Sequence, residues 1–179
     1  MNENAALSSR IDAGLIASSG LSPEGIEAPS ITYRVDCVGP DGVLKWSEEF
    51  HNLVTTAGKT DIVDKYLKGS AYTAAWYLGL KGTGSAAVGD TLASHAGWSE
   101  VTPYAGNRPA ITWGTTSSGS NTATAVSISI NATQTVAGAF VSSVNTGTSG
   151  TLYSAGDFAA SRSVASGDTL NVTPTLSVS

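Results

Sequence analysis

ITYRVDCVGPDGVLKWSEEF, residues 31–50, carries the pattern that decides the fold. Ile31, Tyr33, Val35 and Cys37 alternate with Thr32, Arg34 and Asp36. That period of two puts one set of side chains on a buried face of a β-strand and the other set in water. Gly39-Pro40-Asp41-Gly42 then spells a turn, because proline presets one φ and glycine supplies a positive one. The chain returns over Val43 to Phe50 with Leu44, Trp46 and Phe50 on one face, so the stretch predicts an antiparallel hairpin.

The same spelling continues toward the C-terminus. Short strands are expected at Ala74–Leu80, Gly97–Tyr104, Ala110–Gly114, Thr124–Asn131, Thr135–Ser143, Thr151–Ser154 and Ser161–Ala165, with turn residues between them. The final stretch is the most regular: Leu170, Val172, Pro174, Leu176 and Val178 alternate with Thr and Asn. Pro174 has no N–H to give, which predicts an edge strand or a local irregularity there. Trp76, Trp98 and Trp113 are large apolar bodies that need cover from neighbouring segments. A single helix is expected over Gly58–Leu67, capped by Thr56 or Thr60, with Ile62, Val63, Tyr66 and Leu67 as its packing stripe and Gly69 as its stop. Eight or nine short strands and one helix predict an all-β domain of the β-sandwich or jelly-roll type over residues 31–179.

Residues 1–30 are spelled differently, rich in Ala, Ser and Gly and without strand alternation. Leu7, Ile11 and Leu15 recur at i, i+4 and i+8, one stripe of a short helix, with Arg10 beside them. Two readings stand: a disordered tail, or an extended arm that orders only on a partner.

The totals narrow the function. A chain of 179 residues, 41% hydrophobic, supports one core and an arm. Its net charge of −5 argues against a binder of the nucleic-acid backbone. No apolar run is long enough to cross a bilayer, and the N-terminus lacks a secretory layout, so no membrane partner is expected. Cys37 is the one cysteine and reads as a buried small hydrophobe. From Pro109 to Ser179 only Asp157, Arg162 and Asp168 are charged. Monomeric β proteins guard their sheet edges with charge. Either a partner covers these edges or the fold closes on itself.

Catalytic spelling is absent. His51 and His95 lie in no metal-binding spacing, and His95 reads as support for the turn at Trp98. No nucleophile elbow, phosphate loop or calcium loop occurs. Glu48 and Glu49 point to opposite faces of a strand, and Glu48, Asp90 and Glu100 are the carboxylates a glycosidase reading would have to use. No enzyme activity, cofactor or metal is expected. Arg108, at the Asn107-Arg108-Pro109 corner, is either a solvated loop charge or an ion-pair anchor to a partner.

Several segments, in order, carry a resemblance: Asn52-Leu-Val-Thr-Thr-Ala-Gly58, Ala75-Trp-Tyr-Leu-Gly-Leu80, Ala93-Ser-His-Ala-Gly-Trp-Ser-Glu-Val-Thr-Pro-Tyr104, Gly138-Ala-Phe140 and Gly167-Asp-Thr-Leu-Asn-Val-Thr173. Together, over about residues 43–178, they resemble small β-rich virion structural proteins of tailed bacteriophages, of the capsid decoration, cement or head-fibre type. The resemblance implies a non-enzymatic protein on the outer capsid surface, bound to the major capsid protein and to itself as a dimer or trimer. Leu7, Arg10, Ile11 and Leu15 would then form the capsid-binding arm, and Arg108 a partner contact. The alternative it leaves open is a tail or head-fibre module that binds host-surface glycans.

Overall fold

The computed structural model describes residues 29–71 and 75–178. Among these residues the fold is all-β, an antiparallel sheet with a single short α-helix. The strands are β1 (Ser30–Val38), β2 (Leu44–Val54), β3 (Tyr77–Lys81), β4 (Glu100–Val101), β5 (Ser120–Thr122), β6 (Val126–Ser129), β7 (Gln134–Ser142), β8 (Leu152–Val164) and β9 (Thr169–Ser177). Their order is β4-β3-β7-β8-β2-β1-β9-β5, with β6 beside β5 along β9. Strand β2 makes the corner. Its residues 44–51 pair with β1, and Asn52–Val54 pair with β8 instead. The sheet therefore doubles over, and side chains of its two halves share one core: Tyr33, Val35, Ile128, Leu170 and Val172 from one, Leu78, Leu80, Val136, Val141 and Phe158 from the other. A strand that changes layers at a bend is a common way to turn such a corner.

One polar bond crosses this core. The buried Tyr33 hydroxyl on β1 meets Ser154 Oγ on β8 at 2.9 Å. Its ring stacks on Phe50, with centroids 4.9 Å apart, and burial drives its pKa upward.

Strand β8 runs unbroken where the sequence predicted two short strands, because a wide bulge takes up the irregular spelling. Val136 pairs with Arg162 and Gly138 with Asp157, so residues 158–161 face Ala137 alone. The bulge turns Phe158 into the core, edge-on to Phe50 and Trp46 at 5.0 and 6.0 Å. Glu48 pins it, accepting from Ala159 N at 3.0 Å and from Arg162 Nη2 at 2.7 Å.

Strand β9 is interior, flanked by β1 on one side and by β5 and β6 on the other. The irregularity expected at Pro174 lies in its neighbour. Between β5 and β6 the flanking chain leaves the ladder, and Pro174 accepts there from Ala123 N at 3.0 Å. A residue's N–H and C=O point to the same edge of a strand, so the missing donor faces that gap and costs no hydrogen bond.

The helix α1 (Thr56–Ile62) starts earlier than its spelling suggests and continues as a π-helical turn at Val63–Leu67. Thr55 is the cap, accepting from Gly58 N at 3.0 Å while donating to Leu152 O. Gly58 makes the closest packing contact, since a Cβ there would overlap the Tyr153 carbonyl oxygen, and of the expected aliphatic stripe Ile62 packs against the core. Val63 and Tyr66, assigned to that stripe from sequence, are 52% and 85% exposed.

The segments expected as strands at 97–104 and 110–114 are mostly irregular, yet they answer the edge question. Leu78 N donates to Pro109 O and Ile111 N to Trp76 O. On the other side Thr124 N donates to Thr112 O, Gly114 N to Thr122 O and Asn131 N to Pro103 O. Residues 103–114 thus stitch the β3 end of the sheet to the β5–β6 end, and the fold closes much of its own seam. Among the described residues no strand pairs with the outer side of β6.

Candidate functional site

Three places on the molecule carry enough chemistry to be weighed. The first is the outer face of β3, β7 and β8, where loop 82–99 lies. Leu92, Trp98, Phe140, Leu152 and Ala155 form a second small core there. Phe140 fits because Gly79 opposite it has no side chain: a Cβ would collide with the ring. Around this core lie two ion pairs, Lys81–Asp157 and Arg108–Glu100, and a third carboxylate, Asp90. Lys81, fully buried, sits 2.7 Å from Asp157, donates to the carbonyls of Gly82 and Gly84, and lies 5.7 Å over the Trp98 ring. Asp90 accepts from Trp98 Nε1 at 2.8 Å and from Ala87 N at 2.9 Å. His95 stacks on Trp98 at 4.0 Å, in the supporting place its sequence position suggested.

Arg108 belongs to the same face. It is 6% exposed and forms a two-point bond with Glu100, Nε to Oε1 at 2.8 Å and Nη2 to Oε2 at 2.7 Å. Nη1 donates to Val144 O and Gly147 O, Nη2 also to Gly147 O, and the guanidinium lies 5.3 Å over Phe140. The sequence offered Arg108 as a solvated charge or a partner contact. The structure places it inside, as the anchor that wraps loop 143–150, with its donors spent within the chain.

The carboxylates of a hydrolase reading meet the same end. Glu48 is held by Arg162, Glu100 by Arg108 and Asp90 by Trp98. The Arg162 hydrogen bond and charge and the Ala159 N–H keep Glu48 below the usual carboxylate range despite its burial. Asp168 is 2% exposed; burial pushes its pKa up, but Lys45 at 2.7 Å and Ala165 N at 2.9 Å outweigh this and leave it lowered. Cys37 sits beside it, Sγ 3.7 Å from Asp168 Oδ2, and burial with the neighbouring carboxylate raises its thiol to about 11. That thiol stays protonated at neutral pH. Among the described residues no group of three or more His, Cys, Asp or Glu gathers as metal ligands, and no helix is long and apolar enough to cross a membrane.

The second place is a cleft of about 660 Å3 between α1 with its π turn, loop 113–121 and the end of β9. Ile31, Ile62, Trp76, Trp113 and Leu176 give it an apolar wall, and Asp61 and Lys65 are the charged residues lining it. Tyr66 and Val178 line it while standing 85% and 42% exposed. This cleft was not legible from the sequence, because its walls come from seven separate segments.

The third is the surface of residues 109–178. Asp157, Arg162 and Asp168 are each consumed in an ion pair, with Lys81, Glu48 and Lys45. What this half shows to solvent is mainly Ser, Thr, Gly, Ala and Asn, including Ser127 and Ser129 on β6. Leu7, Arg10, Ile11 and Leu15 lie outside the described residues. Against known proteins, the sequence matches no family model and no curated relative.

Proposed function

We propose that this protein is a non-enzymatic structural module that decorates or cements a phage capsid, bridging major capsid subunits on the outer surface and associating with its own copies. The observation that carries the reading is the fate of charge in residues 109–178: every charged side chain there is held in an ion pair, leaving a hydroxyl-rich face along which β6, bonded to β9 on one side, has no strand partner on the other among the described residues. Charged groups are depleted at the centres of protein interfaces because removing them from water is expensive. A neutral face with an unguarded strand edge is cheap to bury against a neighbour and holds backbone groups ready for pairing. The tethering of Glu48, Asp90 and Glu100 favours adhesion over hydrolysis, since each carboxylate already has a structural partner.

The test is co-expression with the major capsid protein of the same genome, followed by sedimentation of the capsids. The chain should travel with expanded capsids. A Ser127→Lys, Ser129→Lys double variant should keep the native melting temperature and stay at the top of the gradient. Failure of the unaltered chain to sediment with capsids sinks the virion reading; sedimentation of the lysine variant at native levels sinks the role of the β6 edge.

A further inference from the structure

We infer that the apolar cleft beside α1 is the seat of the chain's own N-terminal segment, with Leu7, Ile11 and Leu15 as the side chains that fill it. This goes beyond the capsid reading and does not depend on it.

Among the described residues the cleft has the character of an open docking groove. Trp76 and Trp113 are only partly buried in it, and Tyr66 and Val178 present apolar surface to solvent at its walls. Exposed apolar surface gathered in one concavity marks a place where something binds. The position of β1 says what. Ile31 is part of the cleft wall and the second residue of β1, so the described chain begins at the cleft, with 28 residues preceding it in sequence.

That segment has the matching chemistry. Leu7, Ile11 and Leu15 share one stripe at helical spacing, the pattern by which an amphipathic segment enters an apolar groove. Arg10 and Asp12 flank the stripe with charges opposite to those of Asp61 and Lys65 in the cleft. The connection is long enough: from Leu15 to Ile31 the chain spans at most about 55 Å when fully extended. It is also short enough to favour the same molecule, because a flexible link of this kind holds its segment at an effective concentration of about a millimolar. A second copy would have to reach that concentration to compete. Ordering the segment has an entropic cost, which burial of three aliphatic side chains against two tryptophans offsets.

A cross-linking experiment on the full chain decides it. Cys37 is buried, so Ile11→Cys and Thr116→Cys, the latter on the cleft wall, supply the reactive pair for a short bis-maleimide. An intramolecular product is expected whose yield does not change on dilution. Adding Leu7→Ser and Leu15→Ser should cut that yield by about tenfold, the effect of weakening docking by roughly 1.4 kcal/mol. In parallel, backbone hydrogen exchange at residues 62–66 and 113–121 should be faster in a Leu7→Ser, Ile11→Ser, Leu15→Ser chain than in the unaltered one. Three results would overturn the assignment. Cross-linked dimers from a mixture of the two single-cysteine chains would make a second copy the occupant. Quenching of tryptophan fluorescence by host-envelope oligosaccharide, with no cross-link formed, would make the cleft a glycan site. Yield and exchange that ignore the serine substitutions would leave the leucines no part in it.

Discussion

Residues 30–68 and residues 109–178 use charge in opposite ways. In the first region ionic side chains mostly stand in water. Arg34, 61% exposed, pairs with Asp36 two residues away on the outer face of β1, and Lys68 with Asp64 on the π turn. In the second region all three charges reach across the sequence: Asp157 to Lys81, Arg162 to Glu48, Asp168 to Lys45. Local pairs on a wet surface contribute little, because water and salt compete for both partners. Pairs that join distant elements and are shielded from water hold a layer or a bulge in place, and breaking one strands its partner. The charge-poor half is therefore the half in which individual charges matter most.

That contrast can be broken at its strongest point first. Lys81→Ala should lower unfolding stability by about 3 kcal/mol, because Asp157 and two loop carbonyls lose their cation; urea denaturation measures it. The value belongs at the low end for a shielded pair, since Asp157 is 37% exposed. Asp168→Ala should cost about 2 kcal/mol by leaving the Ala165 N–H without its acceptor, again read from the urea midpoint.

Acid should have a gentler effect at the same places, because a protonated carboxyl keeps an acceptor that alanine lacks. Glu48 and Asp168 both have lowered pKa values in the folded chain. Their contribution is fully present above their unfolded values, about 4.3 and 3.9, and is lost as pH falls through the lower folded ones. The urea midpoint should stay level from neutral pH down to about 5 and decline below about 4. Glu48→Gln should flatten part of that decline. At the small end, Arg34→Ala should leave the midpoint unchanged within error; a clear loss there would erase the distinction between the two regions.

Much of the strand framework was legible beforehand. The hairpin of β1 and β2 follows from alternation and a Gly-Pro-Asp-Gly turn, both local properties. Strand β9 was equally plain, and Pro174 pointed to an irregularity; which strand would absorb it was not written in β9 itself. The helix was placed correctly but its packing was not. Aliphatic spacing suggested a stripe, of which Ile62 packs while Val63 and Tyr66 stand exposed, and the closest contact is made by Gly58, whose lack of a side chain lets the backbone meet Tyr153. Thr151–Ser154 and Ser161–Ala165 looked like two strands because the residues of the β8 bulge break alternation without ending the strand.

The candidate sites were less legible. Arg108 stood out as an isolated cation in a loop, and nothing nearby in sequence shows that Glu100, Val144 and Gly147 would converge on it. Lys81 drew no notice at all; a lysine ending an apolar strand reads as a solvated terminus until loop 82–99 folds over it. The cleft was invisible for the same reason, being assembled from residues as far apart as Ile31 and Val178.

By itself, then, the sequence determined an all-β domain, the position of the helix α1 and the charge-poor character of its C-terminal half, because alternation, turn chemistry and composition act over a few residues. Tertiary structure alone decided where β2 changes layers, which charges became staples, how residues 103–114 close the seam and where the apolar cleft opens. Those outcomes depend on which distant surfaces meet, and burial and ion pairing acquire their strength only once the meeting has excluded water.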